Sequence, residues 1–131
     1  MIHTPPDETG IVEIVFCARA RRARLSIEGG GTRAGLAGPR GEETLSTREL
    51  RGIVHYDPAE LTLTAKAGTP VAEIEAALAE KGQMLPFEPA DPRALYRSDG
   101  EPTLGGMVAA GFSGPRRVQA GSLRDALLGA R

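Results

Sequence analysis

The chain has 131 residues, enough for one domain with a modest core. A formal net charge of −1 and 4% aromatic residues give nucleic acid neither a basic surface nor stacking partners. No apolar run approaches the roughly 18 residues of a membrane span, and Met1–Glu8 lacks the basic-then-apolar order of a secretory signal.

From the N-terminus, residues from Pro6 to Arg22 read as a helix with an apolar face of Ile11, Ile14, Val15 and Ala18. Arg19, Arg21 and Arg22 crowd its last turns, where a solvated end complementing the helix dipole is preferred over a phosphate grip. The single cysteine, Cys17, leaves no internal disulfide, fits a reducing compartment, and is expected to be a buried small apolar residue of this helix. Leu25–Glu28 alternates and runs straight into Gly29-Gly30-Gly31-Thr32-Arg33-Ala34-Gly35, giving strand then loop. Gly35, Gly38, Pro39 and Gly41 keep the following stretch irregular. Thr44-Leu45-Ser46 fits a short strand. Ile53–Tyr56 and the alternating run from Leu61 to Ala67 fit a hairpin around Asp57-Pro58-Ala59-Glu60. Thr69 and Pro70 read as hydroxyl cap and first helical residue of a helix that buries Val71, Ile74 and Leu78 and stops at Gly82. Met84-Leu85-Pro86 suggests a brief strand, the proline-rich stretch from Pro86 to Pro102 a polar loop, Gly105–Ala110 a short helix, and Ala126–Leu128 a last strand. This order points to an α+β fold rather than a doubly wound sheet.

The two glycine loops carry the functional information. Dense glycine lets backbone approach a ligand and leaves amides free to point at anionic oxygens. Gly29–Ala34 formally fits G-x-G-x-x-A, but a Rossmann fingerprint needs a helix immediately afterwards, and Gly35, Gly38, Pro39 and Gly41 follow instead. Neither loop ends in the Gly-Lys-Ser/Thr of a P-loop. What remains is a phosphate nest of Gly29, Gly30, Gly31, the Thr32 hydroxyl and Arg33, set against a glycine-rich surface turn. Thr103-Leu104-Gly105-Gly106 reads either as a helix start open to a ligand or as a helix needing small residues for packing. The two loops together favour a ligand with a phosphate group and a long second portion, such as a dinucleotide.

The ordered series Glu28–Thr32, Ile53–Pro58 and Ala67–Pro70 resembles the p-cresol methylhydroxylase / vanillyl-alcohol oxidase type of FAD-binding domain. Gly82–Pro89, Thr103–Ala109 and Gly114–Arg117 are similar to the FAD-binding E subunits of bacterial glycolate oxidases, and the likeness runs from about Arg24 to Gly129. The resemblance implies an α+β FAD domain whose first loop cradles the pyrophosphate. It implies that Pro86, Thr103, Gly105 and Gly106 line the flavin channel, with Ser113 and Gly114 nearby and Ser122 and Asp125 on a segment passing the cofactor. Some members attach flavin through a histidine in the first loop; this loop has none, so the FAD is expected to be non-covalent. The resemblance further implies other subunits of a glycolate oxidase-type complex as partners, a small 2-hydroxy acid oxidised at a partner subunit, and a cytoplasmic setting or one peripheral to the inner membrane. Asp91–Glu101 makes the approach to the second loop longer than the family pattern. Residues 1–131 would form the N-terminal portion of a family domain that continues further.

Other side chains carry two readings. Asp125 either orients backbone near the flavin or caps a turn. Arg116 and Arg117 either pair with an anion or partner, or lie in a solvated loop. His55 fits a satisfied structural histidine better than a base. The two histidines have no companion at ligand spacing, so no metal is expected. Gly30→Val is expected to weaken FAD binding with little loss of fold. A non-catalytic structural subunit that does not bind FAD stably is the alternative to a flavin-dependent 2-hydroxy-acid oxidase or dehydrogenase component.

Overall fold

The computed structural model describes residues 1–33, 38 and 40–131. Ala34, Gly35 and Pro39, on which part of the first-loop reading falls, lie outside the described residues. Strand β1 (Ile2–His3), helix α1 (Glu8–Arg21), strand β2 (Leu25–Glu28) and strand β3 (Glu43–Ser46) build a three-stranded parallel sheet in the order β1-β3-β2. β1 was not evident in the sequence, since two residues are too few to show alternation. Helix α1 starts at Asp7, whose carboxylate accepts from the Gly10 amide at 2.9 Å, and ends at Arg22 in the left-handed region. Ala18 is its buried contact; Val15 and Cys17 are exposed, against expectation. One small side chain anchors the helix, and its larger apolar residues, Val12, Val15 and Phe16, face outward.

Strands β4 (Ile53–Asp57) and β5 (Thr62–Ala65) form the expected antiparallel hairpin. Asp57 Oδ1 accepts from the amides of Ala59 and Glu60 at 2.9 and 3.2 Å and closes the turn. Leu61 sits at φ 56, so it belongs to the turn and not to the alternating strand. Tyr56 donates to Gln83 Oε1 at 2.7 Å, and Gln83 Nε2 donates to the Pro58 carbonyl at 2.8 Å, docking the hairpin on the end of helix α2 (Val71–Ala79).

Thr69 does not cap α2. It is fully buried, and its hydroxyl is committed to the peptide of Gly52, accepting from the amide at 2.9 Å and donating to the carbonyl at 3.1 Å. Pro70 is the N-cap, and the Val71 amide is satisfied by the Pro102 carbonyl at 2.8 Å. Met84–Pro86 is not a strand. The chain there leaves α2 through a Gln83 amide bonded to Leu78, and Pro86 has no amide to offer a ladder. The polar stretch that follows contains helix α3 (Arg93–Tyr96), because Pro92 occupies an N-cap where no amide is needed.

Helix α4 (Leu104–Ala110) begins at Thr103, whose hydroxyl accepts from the Gly106 amide at 3.3 Å. Helices α5 (Arg117–Ala120) and α6 (Leu123–Ala126) follow. The expected last strand is therefore helical at Ala126. Ser122 and Asp125 form a capping box that starts α6, and Leu123 buries with Val71, Phe87 and Met107 in the core. Leu127 and Leu128 are exposed.

Candidate functional site

Strand β2 delivers Glu28 to the first glycine loop, and Arg48 sets the orientation of that loop. Arg48 donates from Nε to the Gly29 carbonyl at 3.1 Å and from Nη2 to the Gly30 carbonyl at 3.3 Å. Ser98 Oγ lies 3.5 Å from the Gly31 carbonyl. The chain has no cis peptides among the described residues, so the amides of Gly30, Gly31 and Thr32 point away from Arg48 and Ser98. None of the amides from Gly29 to Thr32 donates to another described residue. Gly31, at φ 75, gives the local change of handedness that gathers successive amides into an anion-binding concavity.

The loop is a wall between two cavities. One, of about 470 Å³, holds Arg48, Glu49, Arg51 and Glu101. The other, of about 480 Å³, is lined by Gly29 to Arg33 on one side and by Thr103, Gly106, Ala109, Ala110 and Phe112 on the other. Gly30 borders both cavities, and Gly31 to Arg33 border the second together with Glu28, whose carboxylate pairs with Arg48 and Arg40.

Arg33 adds a charged donor to this second cavity. Its Nη2 donates to the Ala90 carbonyl at 2.9 Å, while its Nε is buried with no partner among the described residues. Burial lowers the pKa of the guanidinium, and the nearby charge of Asp91 opposes that shift.

The second glycine loop contributes differently from expectation. The amides of Leu104 and Gly105 donate to Thr69 and Ala67 carbonyls at 2.8 and 2.7 Å, and that of Gly106 to its own cap. No amide of this first turn is left for an anion. Gly105 is small for packing: an added Cβ would lie 2.8 Å from Ala67 Cβ. At Gly106 an added Cβ would lie 3.2 Å from Thr103 Oγ1 and 3.8 Å from Arg33 Nη1, so glycine there leaves room for the cap and brings backbone to the cavity. Packing also explains part of the first loop, since side-chain carbon on Gly29 would collide with Thr103 Oγ1 and on Gly30 with the Glu101 carbonyl. Gly30→Val is thus a test of folding as well as of binding, which corrects the expectation of little structural loss.

The structure brings Gly29, Gly30, Gly31, Thr32, Arg33, Thr103 and Gly106 to one cavity. Pro86, Ser113, Gly114, Ser122 and Asp125 are not in its lining. Ser113 Oγ accepts from the Leu123 amide at 3.2 Å, and Gly114 packs on the Glu88 carboxylate. Asp125 accepts from the Ser122 amide and hydroxyl at 2.7 and 2.9 Å, which lowers its pKa and gives it the capping role. Arg116 donates its amide to Glu88 at 3.2 Å. His55 is exposed and has no hydrogen-bond partner among the described residues, so it is not a satisfied structural histidine. Arg48, nearly twenty residues beyond the loop, carried no signal in the sequence.

The residues present fit a diphosphate: backbone amides without partners among the described residues and the Arg33 guanidinium line one groove, where donors need anionic oxygens. The FAD binding domain family matches residues 1–131. The chain belongs to that family. It is 48% identical over 121 residues to the glycolate oxidase subunit GlcE of Escherichia coli K12, covering 92% of this chain and 33% of the subunit. It is 25% identical over 130 residues to the D-2-hydroxyglutarate dehydrogenase of Xanthomonas citri pv. viticola, covering 98% of this chain and 26% of that protein. Among solved structures, alkyldihydroxyacetonephosphate synthase superposes with a TM-score of 0.73 at 23% identity, over 97% of this chain and 23% of the synthase. Aclacinomycin oxidoreductase gives 0.69 at 20% identity, over 95% and 24%. The fold is the α+β p-cresol methylhydroxylase-type FAD-binding domain, and the chain spans about a third or less of the curated relatives it matches.

Proposed function

We propose that this chain is the FAD-binding portion of a subunit of a flavin-dependent 2-hydroxy-acid oxidoreductase of the glycolate type, working with other subunits that provide the substrate site. The observation that carries this reading is the set of unengaged amides at Gly29 to Thr32, held by Arg48 toward a groove shared with Gly106. The diphosphate of FAD would be held there by the amides and Arg33, with Gly106 on the facing wall adding no side chain. Bound flavin supplies a two-electron acceptor for the carbon bearing the substrate hydroxyl. The protein positions it and excludes water. With no histidine in the loop, the flavin is held without a covalent link. Among the described residues no helix is long and apolar enough to cross a membrane.

The test is to incubate the full chain with FAD, pass it through gel filtration and record the visible spectrum, in parallel with Arg48→Met. Retained flavin absorbance that stays in the supernatant when acid precipitates the protein supports non-covalent binding, and weaker retention by the variant supports orientation of the loop by Arg48. A colourless wild-type eluate overturns the reading in favour of a structural subunit. That second reading draws on the packing roles of Gly30 and Gly105.

A further inference from the structure

Residues 90–101 lie along the phosphate loop and touch it repeatedly. The Ala90 carbonyl accepts from Arg33 at 2.9 Å, and Ser98 Oγ approaches the Gly31 carbonyl at 3.5 Å. Gly100 packs against the Gly30 carbonyl, and the Glu101 carbonyl against Gly30 itself. Apart from the single turn of α3, this segment has no regular structure of its own, so its order is borrowed from the loop. Arg33 is the hinge of the arrangement. One edge of its guanidinium is committed to Ala90, while Nε is shielded from solvent without an acceptor. Asp91 is nearby, but both its oxygens are taken by Arg93, at 2.9 Å and 3.0 Å from Nε and 2.6 Å from Nη2. Nη1 lies beside Gly106 on the groove side and makes no hydrogen bond to a described residue, so it is the edge that an anionic oxygen in the groove can reach.

We infer that Arg33 is a positioning residue that couples diphosphate binding to the ordering of residues 90–98. This rests on the FAD reading above. An oxygen of the diphosphate accepts from Arg33 Nη1, the guanidinium is fixed between ligand and Ala90, and the segment beside the loop is pinned.

The experiment measures FAD affinity by flavin fluorescence for wild type, Arg33→Met and Arg33→Lys, with hydrogen exchange of residues 90–98 followed with and without FAD. FAD is expected to slow exchange across 90–98 in the wild type. Arg33→Met is expected to lose roughly tenfold or more in affinity, together with that protection. Arg33→Lys keeps the charge but cannot serve both acceptors, so it should recover part of the affinity without the protection. Wild type that binds FAD without protecting 90–98, or Arg33→Met that binds and protects like wild type, overturns the coupling and leaves the FAD reading intact. Wild type that retains no FAD removes both. Where Arg33→Met fails to fold, Arg33→Lys carries the same comparison, and wild-type exchange without protection overturns the coupling by itself.

Discussion

At the scale of single residues, two polar sites do opposite work. Arg33 is left with an unmet donor at the groove, whereas Glu43 is fully committed. Its carboxylate bonds His3 Nε2 at 2.6 Å and Arg21 Nη1 at 2.9 Å, tying β1 and α1 to the central strand. The His3 hydrogen bond is the largest cause holding the Glu43 pKa below the ordinary carboxylate range, with Arg21 adding to it. A carboxylate lowered in the folded state stabilises fully above its unfolded pKa and loses that contribution as pH falls through its folded value. Thermal melts from neutral pH to about pH 3 are therefore expected to show a decline that Glu43→Gln flattens, starting from a lower plateau. Gly30 makes a second prediction. A methyl there overlaps the Glu101 carbonyl, so Gly30→Ala should cost about 1–3 kcal/mol in urea unfolding. Gly52, where an added Cβ meets nothing within 4 Å but φ is 124, should respond to alanine only through backbone strain.

Among the elements, the corrections share a cause: a local signal was answered by a partner distant in sequence. Thr69 reads as a cap from its neighbours but bonds Gly52; the α4 amides read as open but meet Ala67 and Thr69. Val15 fits a buried helical face by spacing and Cys17 a small buried residue, yet both are exposed and Ala18 is the buried residue of α1. α6 supplies the discriminating experiment. Asp125→Ala removes the N3 half of a capping box and should lower the melting temperature. FAD affinity should stay unchanged, because the carboxylate is spent on Ser122. A loss of FAD affinity at constant stability would restore a cofactor role to Asp125.

For the whole molecule, the parallel sheet and α4 face each other across the groove, so a ligand bridging them is linked to folding. A ligand that binds the folded chain raises stability by about 2.7 kcal/mol at a hundredfold excess over Kd. The melting temperature is expected to climb by several degrees with FAD concentration. Riboflavin, lacking the diphosphate, should move it far less at equal concentration. Equal shifts from the two would show that the first loop does not hold phosphate.

Much was legible from the residues alone: β2 leading into a glycine loop, the β4–β5 hairpin, α2 with Val71, Ile74 and Leu78 inward, and the family itself. Each depends on short-range periodicity, turn chemistry or an ordered series of motifs, all of which are local. Tertiary structure alone decided which donors are left over. Whether an amide is free depends on which carbonyl from elsewhere reaches it. That is why the first loop, turned by Arg48, keeps its donors and the second does not.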